Sequence, residues 1–211
     1  MIKKLSKKAS LLSALVLTMA LFAGCSNEKE NQKVADIEVK TIATKELQDK
    51  LSDDSWVVVD TRINDAFNGW KLDEVERGGH IKGAVDFSAN WLTVDSKDKE
   101  KTLDKALETK GIEKDKNIVL YDANGKDAKE VANYLSEKGY KNLYTYNVAD
   151  WAKDESLPME SYENYEMIVP ATIVNDILDG KKPETFENSK NIKIVEASWG
   201  EESEAYSKGH V

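Results

Sequence analysis

The side chains able to do chemistry are few, and where they sit narrows the choices quickly. The 211 residues include one cysteine, Cys25, and two histidines, His80 and His210. A single thiol excludes an internal disulfide framework, a cysteine-rich zinc site and a CxxC redox pair. Two histidines leave little scope for a histidine metal centre or a histidine-dependent hydrolase triad, and neither metal nor cofactor is expected. The next candidates are Asp60 and Arg62, which close the run Val57-Val58-Val59-Asp60-Thr61-Arg62. An ion pair that fixes the following loop is expected of them rather than substrate contact. Both histidines follow a glycine, and there the imidazole is expected to bond to backbone. Trp56, Trp70, Trp91 and Trp151 are expected to serve as core or rim packing. The acidic run Glu201-Glu202-Ser203-Glu204 reads as a solvated face.

Regular elements must position these residues. Ile37–Ile42 reads as a short strand and Thr44–Leu51 as a short helix. Trp56–Asp60 is a β-branched run suited to a buried strand. Asn64–Gly69 fits a helical turn, and Gly78-Gly79 breaks the chain before His80. Lys99–Thr109 gathers Leu103, Ala106 and Leu107 on one helical face ahead of Gly111. Asn117–Tyr121 is a second buried-type strand. Lys126–Lys138 spaces Ala128, Val131, Ala132 and Leu135 at helical intervals and stops at Gly139. Leu143–Tyr146 reads as a third strand, and Ala149–Lys153 as a turn of helix. Strands alternating with amphipathic helices predict an α/β domain with a mostly parallel central sheet.

The opening of the chain follows different rules. Met1–Ser10 carries four lysines and no acid, and Leu11–Phe22 is dominated by Leu, Ala and Val. A basic segment ahead of such a stretch is the pattern of a secretory signal, too short for a comfortable membrane span. Leu21-Phe22-Ala23-Gly24-Cys25 resembles a bacterial lipoprotein lipobox, with Phe22 where an aliphatic residue is usual. The resemblance implies cleavage before Cys25, acylation of its thiol, and an extracytoplasmic protein anchored by lipid to the bacterial cell membrane. Residues 25–36 then form a polar tether. Removing residues 1–24, with four lysines and no acid, takes the formal charge from −9 to −13. Such a surface repels nucleic acid and anionic headgroups, so nucleic acid is excluded as a partner. Membrane contact is left to the acyl chains on Cys25.

After Pro158 the pattern restarts. Ile168–Leu178 can be laid over Thr41–Leu51, Ile192–Ser198 over Val57–Arg62, and Lys208–Val211 over Gly78–Ile81. Three echoes in one order read as a domain duplication with a period of about 130 residues, not as a solenoid. The expected organisation is a signal segment over 1–24, the tether, a domain over 37–158, and an incomplete second copy over 167–211. The chain is accordingly expected to be the front part of a longer protein or a degraded gene product.

The order Val57-Val58-Val59-Asp60-Thr61-Arg62, then Gly79-His80-Ile81-Lys82-Gly83-Ala84, resembles the opening signature of the rhodanese family. The likeness continues through Asn117–Tyr121, Lys126–Lys138, Gly139–Leu143, Trp151 and Leu157-Pro158. Lys82 stands where proline is common, and Tyr146-Asn147 where the family usually has a glycine pair. The resemblance implies a three-layer domain and a reaction in which sulfane sulfur passes from a donor such as thiosulfate through a cysteine persulfide. It also implies a six-residue loop, opened by the cysteine, whose backbone N–H groups hold anions. That loop is Asp122-Ala123-Asn124-Gly125-Lys126-Asp127, and Asp122 stands at the nucleophile position. Asp122 is expected to occupy the loop as a fixed anion or a helix cap. Lys126 fits either an anion at the loop or a solvated first-turn lysine.

The resemblance assigns no catalytic residue to this loop and leaves Asp60, Arg62, Gly79, His80, Gly83, Ala84 and Trp151 as structural positions. A tyrosine-aspartate at the loop resembles the non-catalytic N-terminal half of tandem thiosulfate and 3-mercaptopyruvate sulfurtransferases. That implies a catalytic second domain in cis. The alternative is a stand-alone lipid-anchored module that binds a ligand or protein at Asp122–Asp127.

Overall fold

Three apolar runs set the centre of the molecule. The computed structural model describes residues 38–186 and 191–195, so the signal segment, Cys25, the whole tether, His210 and the acidic run at 201–204 lie outside the described residues. The strands, in chain order, are β1 (Lys40–Thr41), β2 (Trp56–Asp60), β3 (His80–Ile81), β4 (Val85–Asp86), β5 (Asn117–Asp122), β6 (Leu143–Asn147) and β7 (Met159–Glu160). The α-helices are α1 (Thr44–Lys50), α2 (Asn64–Asn68), α3 (Lys99–Thr109), α4 (Asp127–Glu137), α5 (Val148–Ala152) and α6 (Ala171–Leu178). Five strands form one sheet in the order β1-β6-β5-β2-β4, with every neighbouring pair parallel. β3 and β7 pair antiparallel in a separate ribbon.

The two-residue period of a strand explains the layering. On β2 and β5, Val59, Ile118 and Leu120 pack into one core with Leu103 and Leu107 of α3 and Val131 and Leu135 of α4. The alternate residues Val58, Val119 and Tyr121 pack on the other face with Leu47 of α1, Trp151 of α5 and Leu157. A parallel sheet covered on both faces needs apolar side chains on both, which is why these runs are continuous rather than alternating.

The elements expected at Trp56–Asp60 and Lys99–Thr109 have those bounds. β5 and β6 each run one residue further than expected, because Asp122 and Asn147 are still in register. α4 is shorter than Lys126–Lys138 by a residue at each end, Lys126 lying outside as its N-cap. The two-residue strands β3, β4 and β7 were not expected. Two residues hold no period, and β4 exists through its pairing with Val59 and Asp60. α6 falls on the segment laid over Thr41–Leu51, but Ile192–Val195, in the segment laid over the strand residues Val57–Arg62, forms no strand. Ile192, Ile194 and Val195 are exposed, and a strand exists only where a neighbour bonds its peptide groups.

Arg77, which has no sequence signal, ties two loops together. Its Nε donates to the carbonyl of Ala152, its Nη1 to Leu157, and its Nη2 to Trp151 and Asp154, all at 2.8–2.9 Å. Two of these carbonyls lie in the last turn of α5, where carbonyls lack partners within the helix and favour a cation. Replacing Arg77 by Met should lower stability by about 3 kcal/mol. Urea unfolding of the two proteins at neutral pH measures it, and a loss near zero would contradict the clamp.

Candidate functional site

The chain leaves β2 for β4 on one side of the sheet and returns to β5 on the other. The carboxyl ends of β2 and β5 therefore form the topological switch point, where open α/β sheets take their ligands. Each of these strands ends in an aspartate, Asp60 on β2 and Asp122 on β5. Both are buried.

Asp60 is consumed by Arg62. Its Oδ1 accepts the Arg62 backbone N–H and Nε at 3.0 Å each, and its Oδ2 accepts Nη2 at 2.6 Å. Nη2 also donates to the carbonyl of Gly79 at 2.7 Å. Burial works against the Arg62 charge, but the Asp60 carboxylate outweighs it and holds the guanidinium above its ordinary range. Burial, then the Asp60 charge, pushes the Tyr121 phenol well above its usual value. Gly79 takes φ +88°, and a Cβ there would lie 2.2 Å from the Glu160 carbonyl oxygen. Only glycine fits where Arg62 reaches the β3–β7 ribbon.

Asp122 organises the second turn. Its Oδ1 accepts the Gly125 N–H at 2.6 Å, and its Oδ2 accepts the Ala128 N–H in the first turn of α4 at 2.9 Å. Gly125 turns the chain with φ +76°, and Lys126 donates its N–H to Asn124 Oδ1 at 2.9 Å. Since Asp122 ends β5 and Asp127 begins α4, the free loop is Ala123–Lys126. Asn124, Gly125 and Lys126 are exposed, and Ala123 is half-buried. Burial, and next the Asp122 charge, hold the Asp127 carboxyl above the ordinary aspartate range.

This arrangement supplies a fixed carboxylate and no sulfur. The only cysteine of the sequence is Cys25, and residues 38–186 contain none. A pocket of about 480 Å³ opens beside the loop, lined by Asp122, Asn124, Gly125, Asn133, Thr145 and Asn147 among others.

The remaining candidate residues lie apart from this pocket. His80 Nδ1 bonds the Phe67 carbonyl at 2.8 Å, and its ring stacks on Phe67 at 3.9 Å between centroids. Gly83 and Ala84 make the turn from β3 to β4, Ala84 donating its N–H to the Ile81 carbonyl. Lys82, in the place where proline is common in the resembled family, pairs with Glu160 at 3.1 Å. Trp151 is buried and donates Nε1–H to the Pro158 carbonyl at 3.1 Å. Trp70 is buried, whereas Trp56 and Trp91 are half-buried. Sequence reasoning passed over Asn133 and Thr145 of the pocket wall, and marked Asn147 only as a departure from the glycine pair usual in the resembled family. No motif marks Asn133 or Thr145, and it is the parallel pairing of β5 with β6 that brings Asn147 beside Asp122.

Among known families, a model of the rhodanese-like domain matches residues 43–152. Among solved structures, wild-type EanB is similar, with a TM-score of 0.63 and 31% identity over 70% of this chain and 33% of that one. The anaerobic ergothioneine biosynthesis enzyme of Chlorobium limicola, bound to its natural substrate trimethyl histidine, is similar at a TM-score of 0.62, 31% identity and coverage of 70% and 34%. So is an EanB variant in which ergothioneine is covalently linked with a persulfide cysteine, at 0.63, 31%, 70% and 34%. The chain spans about a third of the length of these proteins. No curated protein matches it.

Because the Asp60–Arg62 pair is buried, removing one partner strands a charge. Arg62→Met should cost about 3–5 kcal/mol in urea unfolding, while the double replacement Asp60→Leu with Arg62→Met should recover much of that loss. Equal losses in the single and double variants would contradict the pairing.

Proposed function

The chain belongs to the rhodanese-like domain family, and from that premise we propose that it is a member whose own loop does not carry sulfur. Its fold is related to that of sulfur-transfer enzymes, and the EanB structure named above forms a cysteine persulfide. The observation that carries the reading is Asp122. At the position that the resemblance gives to the family's persulfide cysteine, this chain has a carboxylate whose two oxygens each accept a main-chain N–H. A carboxylate has no sulfur to form a persulfide, and its oxygens are poor nucleophiles toward sulfane sulfur.

The role that follows is that of a structural and gating partner to a sulfur-transfer centre. The proposed setting is the N-terminal half of a tandem thiosulfate or 3-mercaptopyruvate sulfurtransferase, with the catalytic cysteine in a second domain in cis. The ordered echoes after Pro158 support it. The basic and apolar opening and Leu21-Phe22-Ala23-Gly24-Cys25 support an extracytoplasmic protein held by acyl chains on Cys25. The pocket beside the loop favours a second reading, a lipid-anchored module that binds a polar ligand against Asn124, Asn133 and Asn147.

Turnover and thiol chemistry test the reading together. The full chain should show no thiosulfate:cyanide sulfurtransferase activity above blank. In a Cys25→Ala background, where residue 122 becomes the only thiol, Asp122→Cys should be alkylated at neutral pH faster than the same chain unfolded. The loop N–H groups that now hold the carboxylate would then favour the thiolate. Clear turnover by the unaltered chain would overturn the proposal, as would a residue-122 thiol no more reactive than the unfolded one.

A further inference from the structure

The sequence contains two Asn-Gly pairs, Asn68-Gly69 and Asn124-Gly125. In such a pair the following amide nitrogen can attack the asparagine side-chain carbonyl, since glycine offers no side chain in the way. The two pairs sit in opposite surroundings.

At Asn124-Gly125 two groups converge on that reaction. The Gly125 N–H donates to Asp122 Oδ1 at 2.6 Å, which sets a carboxylate on the proton that must leave. The Lys126 N–H donates to Asn124 Oδ1 at 2.9 Å, which folds the carboxamide back over the Gly125 peptide and polarises its carbonyl. Asn124 and Gly125 are exposed, line the pocket and are open to water. A Cβ built on Gly125 would meet no atom within 4 Å, so nothing crowds the turn. At Asn68-Gly69 the asparagine is the last residue of α2 and the glycine is buried. The Gly69 N–H there donates to the backbone carbonyl of Asp65 at 3.3 Å, and its Cβ position is blocked by the Tyr165 ring at 2.4 Å.

We propose that Asn124-Gly125 is a self-modifying site at which the Asp122 carboxylate acts as general base for succinimide formation. The Gly125 nitrogen bonds to Asn124 Cγ as its proton passes to Asp122 Oδ1. The Cγ–Nδ2 bond breaks, and that proton leaves with the nitrogen as ammonia. Water then opens the imide at either carbonyl, giving aspartate or isoaspartate at position 124. Either product adds a negative charge beside Asp122 and Asp127, and isoaspartate also lengthens the main chain by one carbon inside the turn. The inference does not depend on sulfur transfer, and its readout is a covalent mass change.

The full chain, incubated at neutral pH and mapped by peptide mass spectrometry, tests it. Asn124 should convert while Asn68 stays intact, and Asn124 should convert faster in the folded protein than in the same chain unfolded in urea. Asp122→Asn, which keeps an acceptor for Gly125 but removes the base, should slow conversion about tenfold or more. Conversion of Asn124 no faster in the folded chain than in urea would overturn the proposal without reference to any variant. Equal conversion of both asparagines, or an Asp122→Asn variant that folds and converts at the original rate, would overturn it too.

Discussion

Peptide N–H groups at the start of a helix have no partner within the helix and must find one. Here that requirement is met from inside the chain, by Asp122. One oxygen takes the Gly125 N–H in the loop and the other takes the Ala128 N–H in the first turn of α4. The carboxylate thus joins the end of β5 to the start of α4 and sets the path of the four residues between. The pocket wall formed by Asn124 and Gly125, the raised Asp127 carboxyl and the exposure of Lys126 all follow from that path. The anion that these N–H groups hold is part of the protein.

A second buried charge sets the neighbouring strand. A carboxylate as buried as Asp60 needs a partner, and the fork of Arg62 supplies one while reaching the Gly79 carbonyl. The pair is local in sequence and non-local in effect, because Gly79 leads into the β3–β7 ribbon. Burial of a matched pair contributes little net stability, but it makes other placements of the loop expensive. The switch-point crevice therefore has two fixed carboxylates, one neutralised by a guanidinium and one by main-chain dipoles.

Much of the architecture was legible in the sequence because burial on both faces of a parallel sheet leaves unbroken β-branched runs such as Trp56–Asp60, and helices leave a spaced stripe such as Leu103 and Leu107. The bounds blurred where pairing, not pattern, decides, as at Asp122 and Asn147. The two-residue strands β3, β4 and β7 had no pattern to read, and Asn191–Val195 had a strand-like composition without a partner strand among the described residues. At the site, the aspartate was read as a fixed anion or a helix cap, and it accepts N–H groups from both the loop and the first turn of α4. Arg77 and Asn133 were invisible, and Asn147 was not read as part of a pocket, because their roles are made by contacts distant in sequence. Nor does the string Ala123-Asn124-Gly125-Lys126 reveal that Asp122 sits on the Gly125 N–H, which separates this Asn-Gly pair from the one at Asn68.

The central claim is that one carboxylate, Asp122, holds the loop and the helix start together. The most direct measurement is hydrogen exchange at the Gly125 and Ala128 amides of the folded protein, compared with Asp122→Ala. Both amides should be protected in the unaltered chain, and both should lose protection together in the variant while the amides of β2 keep theirs. Gly125 and Ala128 amides that exchange equally fast with and without the carboxylate would contradict the account.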